Sequence, residues 1–308
     1  DYGGNDADAA PGSGDSHGTA VAGLIGARAD GQGTIGVAFE SDLTSYRIFG
    51  GTVTTGEYAA VYRHYSDGVD IFSNSWGYNG FFYDDFDGGF SAAGAGVNDS
   101  VAHGRDGLGS VILFAAGNDR QDGQNVNYHG FQNARETIAV AAIDNTGEIS
   151  YYSTPGAGIL IGAPSNGGTA GIVTTDRAGG NGYDSGDYTY SFGGTSAATP
   201  IASGVVALML EANADLGYRD VQEILAYSAR QVDVSDPGWA WNGAANWNGG
   251  GLHVSHDFGF GLIDAHAAVR LAETWDPQST RANETVVSGY SAPNRSIIDN
   301  GTIGDTIT

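Results

Sequence analysis

The sequence predicts an α/β fold: a doubly wound, mainly parallel sheet sandwiched by helices. Three observations carry this. Short β-rich runs alternate with helical patterns, as repeated βα units require. Several of those runs are apolar on successive residues, as in Val111-Ile112-Leu113-Phe114-Ala115, the mark of a parallel strand covered on both faces. Finally, a run of small and aliphatic residues, Ile201 to Leu210, follows the tight turn expected at Gly193-Gly194 and reads as a buried helix.

Taken in order, the chain opens on a small-residue run after His17 (Gly18-Thr19-Ala20-Val21-Ala22-Gly23), a closely packed helix with the histidine at its entrance. Candidate strands are Gly36 to Phe49, Val69 to Ser75, Ser110 to Ala116, Thr137 to Ile143 and Ile159 to Ala163. Gly56 to Ser66 and Phe90 to Gly104 read as helices between them. Two further helices span about 196 to 213 and 218 to 230, separated by Asn213-Ala214-Asp215-Leu216-Gly217. The pattern fades after Trp275, so residues 1–275 form the expected globular domain and 276–295 a polar linker. Residues 296–308 alternate apolar and polar around Asn300-Gly301, as the first strand of a further β domain would.

Composition narrows the function. The 308 residues are 41% apolar, with 12 Phe, 16 Tyr and 5 Trp, enough for a sizeable core. The 51 Gly are interspersed with strand-like runs and indicate turns and close backbone approaches. The absence of cysteine excludes a thiol nucleophile, a disulfide framework and a zinc–thiolate site. A formal charge of −24 argues against nucleic acid as a partner. Many Asp sit beside Gly and Asn. They suit either Ca²⁺, which takes several oxygen ligands in flexible geometry, or a solubilising acidic surface. No uninterrupted apolar stretch of membrane-spanning length is expected, and no signal-peptide pattern starts at residue 1, so a mature form or a fragment is expected.

Three residues suggest acyl-transfer chemistry. In Gly194-Thr195-Ser196-Ala197-Ala198-Thr199-Pro200 a serine sits at the first turn of the buried helix, where unpaired N–H groups favour negative charge. Pro200 is tolerated there because a first-turn N–H has no partner inside the helix. His17 is a natural acceptor for a serine proton, although a single histidine also reads as structural. Asn118, after Phe114-Ala115-Ala116-Gly117 at a strand's carboxyl end, reads as a turn residue or as a side-chain donor to an oxyanion beside the Ser196 N–H. Ligands of open α/β sheets bind at that end, which also draws in Trp76-Gly77.

His17-Gly18-Thr19, Ala115-Ala116-Gly117-Asn118 and Gly194 to Pro200, in that order, resemble the three motifs of the subtilisin-like serine proteases. Ser73-Asn74-Ser75-Trp76-Gly77, Leu210 to Gln222 and Phe258 to His266 resemble the kexin/furin-like branch. The resemblance implies a secreted or cell-surface, bacterial-type serine endopeptidase. Ser196 would attack, His17 would act as base, and Asn118 would serve the oxyanion. Ser75-Trp76-Gly77 would pair with a protein or peptide substrate; the enzyme's own prodomain is a further expected partner. It also implies a β-rich P domain after the protease domain, with Ile298 to Thr302 in its first strand. Structural Ca²⁺ is implied too, at Asp1, Asp6 and Asp8 and at Asp30.

Two departures from the family pattern shape the expectation. The family's triad Asp precedes the His by some dozens of residues, so it is expected to be missing from this chain and activity to be low. Acidic positions of the branch's primary specificity pocket align with His129 and Thr154, and the counterpart of an acidic pair is blurred around Asp84-Asp85, so no strict dibasic preference is expected. The competing reading is a non-catalytic, Ca²⁺-dependent binding or scaffold module derived from a protease. An α/β-hydrolase esterase is excluded, since that class needs Gly-x-Ser-x-Gly and a His after the Ser.

Overall fold

A computed structural model describes residue 2 and residues 9–49, 51–243 and 251–285. Seven helices follow in chain order: α1 (His17–Gly26), α2 (Thr55–Arg63), α3 (Ser91–His103), α4 (Gly130–Asn133), α5 (Thr195–Ala212), α6 (Tyr218–Ser228) and α7 (Ala265–Ala272). Four strands form the central sheet: β1 (Ile71–Asn74), β2 (Val111–Ala115), β3 (Thr137–Ile143) and β4 (Ile159–Pro164). They pair in parallel in that spatial order, with Ile71 beside Val111 and Ile112 beside Thr137. Two antiparallel ribbons flank it, β5 (Ile172–Thr175) with β6 (Tyr188–Phe192) and β7 (Ala240–Trp241) with β8 (His253–Val254).

Strand β2 shows why both faces of the sheet are apolar. Val111 and Leu113 face the core layer that holds Val205, Val206 and Met209 of α5 and Val221, Ile224 and Leu225 of α6. Ile112 and Phe114 face the opposite layer, with Tyr58 and Tyr62 of α2 and Val97 and Val101 of α3. A period of two in a strand buried on both sides gives continuous apolar sequence. Close packing is sharpest between α2 and α3, where a Cβ on Gly96 would lie 2.6 Å from Ala59 Cα.

The predicted strand over Gly36 to Phe49 does not form. The N–H groups of Gly36, Val37 and Ala38 bond to the carbonyls of Ala27, Leu24 and Ile25. This segment therefore satisfies its backbone on the end of α1 rather than in a ladder. By length and composition α5 could cross a bilayer, contrary to the sequence expectation, yet it is the central core helix and most of it is buried. Of the polar segment after Trp275, residues 276–285 lie along α6: the Ser279 N–H donates to Asp220 Oδ2 at 2.8 Å. The strand expected over 296–308 lies outside the described residues.

Candidate active site

The sequence-predicted residues converge at the carboxyl ends of β1 and β2 and the N-terminus of α5. Gly194, with φ at 76°, adopts a left-handed conformation that favours glycine and turns the chain into α5. Three side chains clamp this turn. Ser165 Oγ donates to Gly194 O at 2.7 Å, and the Gly194 N–H meets Asn166 Oδ1 at 3.0 Å and the Tyr152 hydroxyl at 3.1 Å. No motif in the sequence singled out Tyr152, Ser165 or Asn166 for this place, since each acts on the backbone of a residue far along the chain.

Ser196 follows in the first turn of α5. Its Oγ lies 3.4 Å from Ser75 O, and Ser75 Oγ donates to Ser196 O at 3.0 Å, so the end of β1 and the start of α5 hold each other. The Ser196 N–H is one of the first-turn donors with no acceptor inside the helix. Asn118 is fixed through one side of its amide. Its Oδ1 accepts from Thr195 N–H at 2.8 Å and Thr195 Oγ1 at 3.0 Å, which leaves Nδ2 turned away from those bonds. Thr195 Oγ1 in turn accepts from Gly117 N–H at 3.2 Å.

His17 opens α1, and α1 is tied down by Thr174 Oγ1 donating to Ala20 O and Thr175 Oγ1 to Thr19 O. His17, Asn118, Phe192, Gly193 and Ser196 line one cavity of about 370 Å³. The imidazole meets Phe192 edge-on at 5.6 Å and has no hydrogen bond among the described residues. Desolvation lowers its pKa, an effect tempered by the ring's solvent-exposed edge. Asp15, two residues earlier, accepts from Gly12 N–H and pairs with Arg47 at 2.9 Å, so its carboxylate is engaged away from the ring.

A second cavity, about 110 Å³, lies beside Ser196 and is lined by Ser75, Trp76, Gly77, Gly117, Thr154 and His129 among others. Trp76 stacks on Tyr58 at 5.1 Å and meets Phe131 at 5.0 Å, which anchors the edge of the segment after β1. The backbone N–H and C=O of Gly77 bond to none of the described residues, leaving an edge able to receive an added strand. Gln132 also lines this cavity; its Nε2 donates to Ala115 O, and its buried Oε1 has no partner among the described residues.

The metal expectation is met by little of the described structure. Asp30 is exposed and accepts from Gln32 N–H at 3.0 Å, and no group of three acidic or histidine side chains placed to hold a metal ion occurs among the described residues. Asp30 alone therefore does not make up a calcium shell. Asp1, Asp6 and Asp8 lie outside the described residues.

Residues 1–261 match the model of the peptidase S8 family, the subtilases. The chain belongs to the subtilase family. This subtilase is 34% identical over 266 residues to kexin of Saccharomyces cerevisiae, covering 85% of the chain and 31% of kexin. It is 33% identical over 265 residues to furin-like protease 1 (isoform 1-CRR) of Drosophila melanogaster, covering 84% of the chain and 22% of that protein. The chain thus spans well under half the length of these curated relatives. Among solved structures, a serine protease of Aeromonas sobria superposes with a TM-score of 0.79 at 24% identity, over 90% of this chain and 56% of that one, a likeness of fold. A protease of Pseudoalteromonas arctica superposes at 0.63 with 27% identity, over 83% of this subtilase and 70% of that chain.

Proposed function

We propose that the chain is the catalytic domain of a serine endopeptidase. Ser196 Oγ attacks the scissile carbonyl carbon as its proton passes to His17. The oxyanion is held by the Ser196 N–H and Asn118 Nδ2. Collapse breaks the C–N bond, His17 returns the proton to the leaving amine, and water then cleaves the acyl ester by the same route reversed. Ser75-Trp76-Gly77 pairs with the substrate backbone as an added strand. The single observation that supports this most is the pinning of Asn118 Oδ1 by Thr195, which leaves Nδ2 as that amide's uncommitted donor in a residue that lines one cavity with His17 and Ser196.

The imidazole has no hydrogen-bonded carboxylate among the described residues to fix its tautomer; in subtilisin, loss of that group costs roughly 3 × 10⁴ in kcat. Strict dibasic specificity is not part of the proposal, because the pocket wall carries His129 and Thr154. Structural Ca²⁺ held by the acidic segment Asp1–Asp8 and by Asp30 with loop carbonyls belongs to it, as do an extracellular location and a prodomain partner. The experiment is labelling with a fluorophosphonate. Covalent modification of Ser196, lost in Ser196→Ala, supports the enzyme. A folded chain that never labels supports the scaffold reading.

A further inference from the structure

The two groups proposed for the oxyanion come from different elements, the Ser196 N–H from α5 and the Asn118 amide from the loop after β2. One short segment, Tyr152 to Thr154, touches the neighbours of both. On one side the Gly194 N–H donates to the Tyr152 hydroxyl at 3.1 Å. On the other, Thr154 N–H donates to Gly117 O at 3.0 Å, Asp119 N–H to Thr154 Oγ1 at 3.0 Å, and Arg120 N–H to Tyr152 O at 3.2 Å. Arg120 adds its side chain to this pairing. Its Nε donates to Ser153 O at 2.8 Å and its Nη2 to the carboxylate of Asp257. Asp257 sits in a turn that is itself closed. Ser255 and Gly259 exchange backbone bonds at 2.8 and 2.9 Å, and the Asp257 N–H donates to Ser255 Oγ at 3.1 Å. The same turn holds the chain just past Thr154, since Gly156 N–H donates to His256 O at 2.8 Å. Phe258, fully buried and stacked on Trp239 at 5.0 Å, roots the turn in the core.

We infer that Arg120, braced by Asp257, is a positioning residue of the reaction: it holds the loop that carries Asn118 at its distance from the start of α5. The inference rests on the peptidase reading above. A guanidinium suits the task, because one planar group donates to a carbonyl and to a carboxylate at fixed angles. The two side chains are only 28% and 24% exposed, so water and salt screen the pair less than one on an open surface. The far side of the segment is fixed to the sheet, where Ala142 N–H of β3 donates to Ser153 Oγ at 3.1 Å. Without the guanidinium, Ser153 O and Asp257 both lose this donor, and the grip of Arg120 on Ser153 is gone. Arg120 and Asp257 are not among the residues lining either cavity. Their effect therefore reaches the reaction through the placing of Asn118 and not through contact with substrate. An oxyanion donor works only at hydrogen-bond distance from the place the oxygen takes, so a small drift of the loop is felt in the rate.

The test uses the whole chain and reads two rates: labelling of Ser196 by a fluorophosphonate, and turnover of an activated ester. Arg120→Ala should slow both by about tenfold, a fraction of the roughly 10²–10³ that outright loss of an oxyanion donor costs, with KM for the ester within about twofold of the parent. The deciding measurement is a double-mutant cycle. In an Asn118→Ala background, Arg120→Ala should cost less than about twofold more, because the group it positions is already gone. A residue that merely supports the fold would cost the same in both backgrounds. Asp257→Asn keeps the shape of the partner without its charge. It should show the same pattern, and it carries the test if Arg120→Ala fails to fold. A folded Arg120→Ala chain that labels within about twofold of the parent, or that loses as much with Asn118→Ala as without it, overturns the inference, while labelling of the unaltered chain still upholds the peptidase. Absence of labelling in the unaltered chain defeats the peptidase reading, and this inference with it.

Discussion

Asn118→Asp separates the two jobs of this side chain. The carboxylate keeps an oxygen where Oδ1 accepts from Thr195 N–H at 2.8 Å and Thr195 Oγ1 at 3.0 Å, so the start of α5 stays anchored. A negative charge at a helix N-terminus is favourable by about 0.3–1 kcal/mol, so stability should hold or rise. Only the group at Nδ2 changes, from donor to acceptor. Loss of one oxyanion donor costs about 10²–10³ in kcat, or about 2.7–4 kcal/mol. A carboxylate about 4 Å from the developing oxyanion adds repulsion of up to roughly 4 kcal/mol at an effective dielectric of 20. The variant should therefore lose at least about a hundredfold in acylation by an activated ester, read as kcat/KM, while its urea midpoint is unchanged or higher. Asn118→Ala should lose similar activity but also stability, because Thr195 is left with unmatched donors. If Asn118→Asp acylates within about threefold of the parent, well short of the cost of one lost donor, Asn118 does not serve the oxyanion.

Further expectations concern the base, the scaffold and the metal. Burial lowers the His17 pKa below 6.5, so the neutral base persists to lower pH and the acid limb of kcat/KM should have its midpoint below 6.5; a midpoint above 7 refutes this. The same shift makes the folded state bind fewer protons than the unfolded one. His17 therefore lends no penalty above 6.5, and stability falls as pH drops from 6.5 through the lowered value, a trend His17→Gln should flatten. Asp220 is fully buried and accepts from Gly217 N–H at 2.7 Å, Ser279 N–H at 2.8 Å and Trp275 Nε1 at 3.1 Å. Asp220→Ala strands all three donors and should lower the urea-derived stability by about 3 kcal/mol or more. Gly96→Ala forces a methyl onto the backbone of Ala59 and should cost about 1–3 kcal/mol, seen as a lower Tm. Chelation should lower Tm and added Ca²⁺ restore it, and an unmoved Tm argues against bound calcium.

The parts legible in the sequence were those where one physical demand dominates. Strands β2 to β4 are short, mainly apolar runs because helices cover both faces, and the run Val111 to Ala115 carries that signature without help from any partner. The start of α5 was legible because the turn at Gly194, the small residues after it and the open helix terminus all require the same few residue types. Gly36 to Phe49 misled because an apolar pattern says nothing of where the backbone donors go, and here they go to α1. The β5–β6 ribbon was missed because its strands are short and partly exposed, with Tyr190 mostly in solvent. The clamp of Tyr152, Ser165 and Asn166 on Gly194, and the meeting of Asp84 with His129, depend on contacts between residues distant in the chain. Residue type at each position was visible, but its partner was not.

The proposed oxyanion donor Asn118 and its neighbour Asp119, which lines the cavity beside Ser196, are parts of one structure. Both descend from the end of β2: Gly117 N–H donates to Thr195 Oγ1, Asn118 Oδ1 accepts from Thr195, and Asp119 N–H donates to Thr154 Oγ1. A Cβ on Gly117, where φ is 107°, would lie 2.9 Å from Thr154 Oγ1. The three residues are thus held from two sides, by the first turn of α5 and by the loop before β4. A displacement of Thr154 is felt at Asp119, and one residue earlier at Asn118, whose amide must stay within a few tenths of an ångström to hold the oxyanion. For that reason a substitution at Thr154 should change kcat as well as KM.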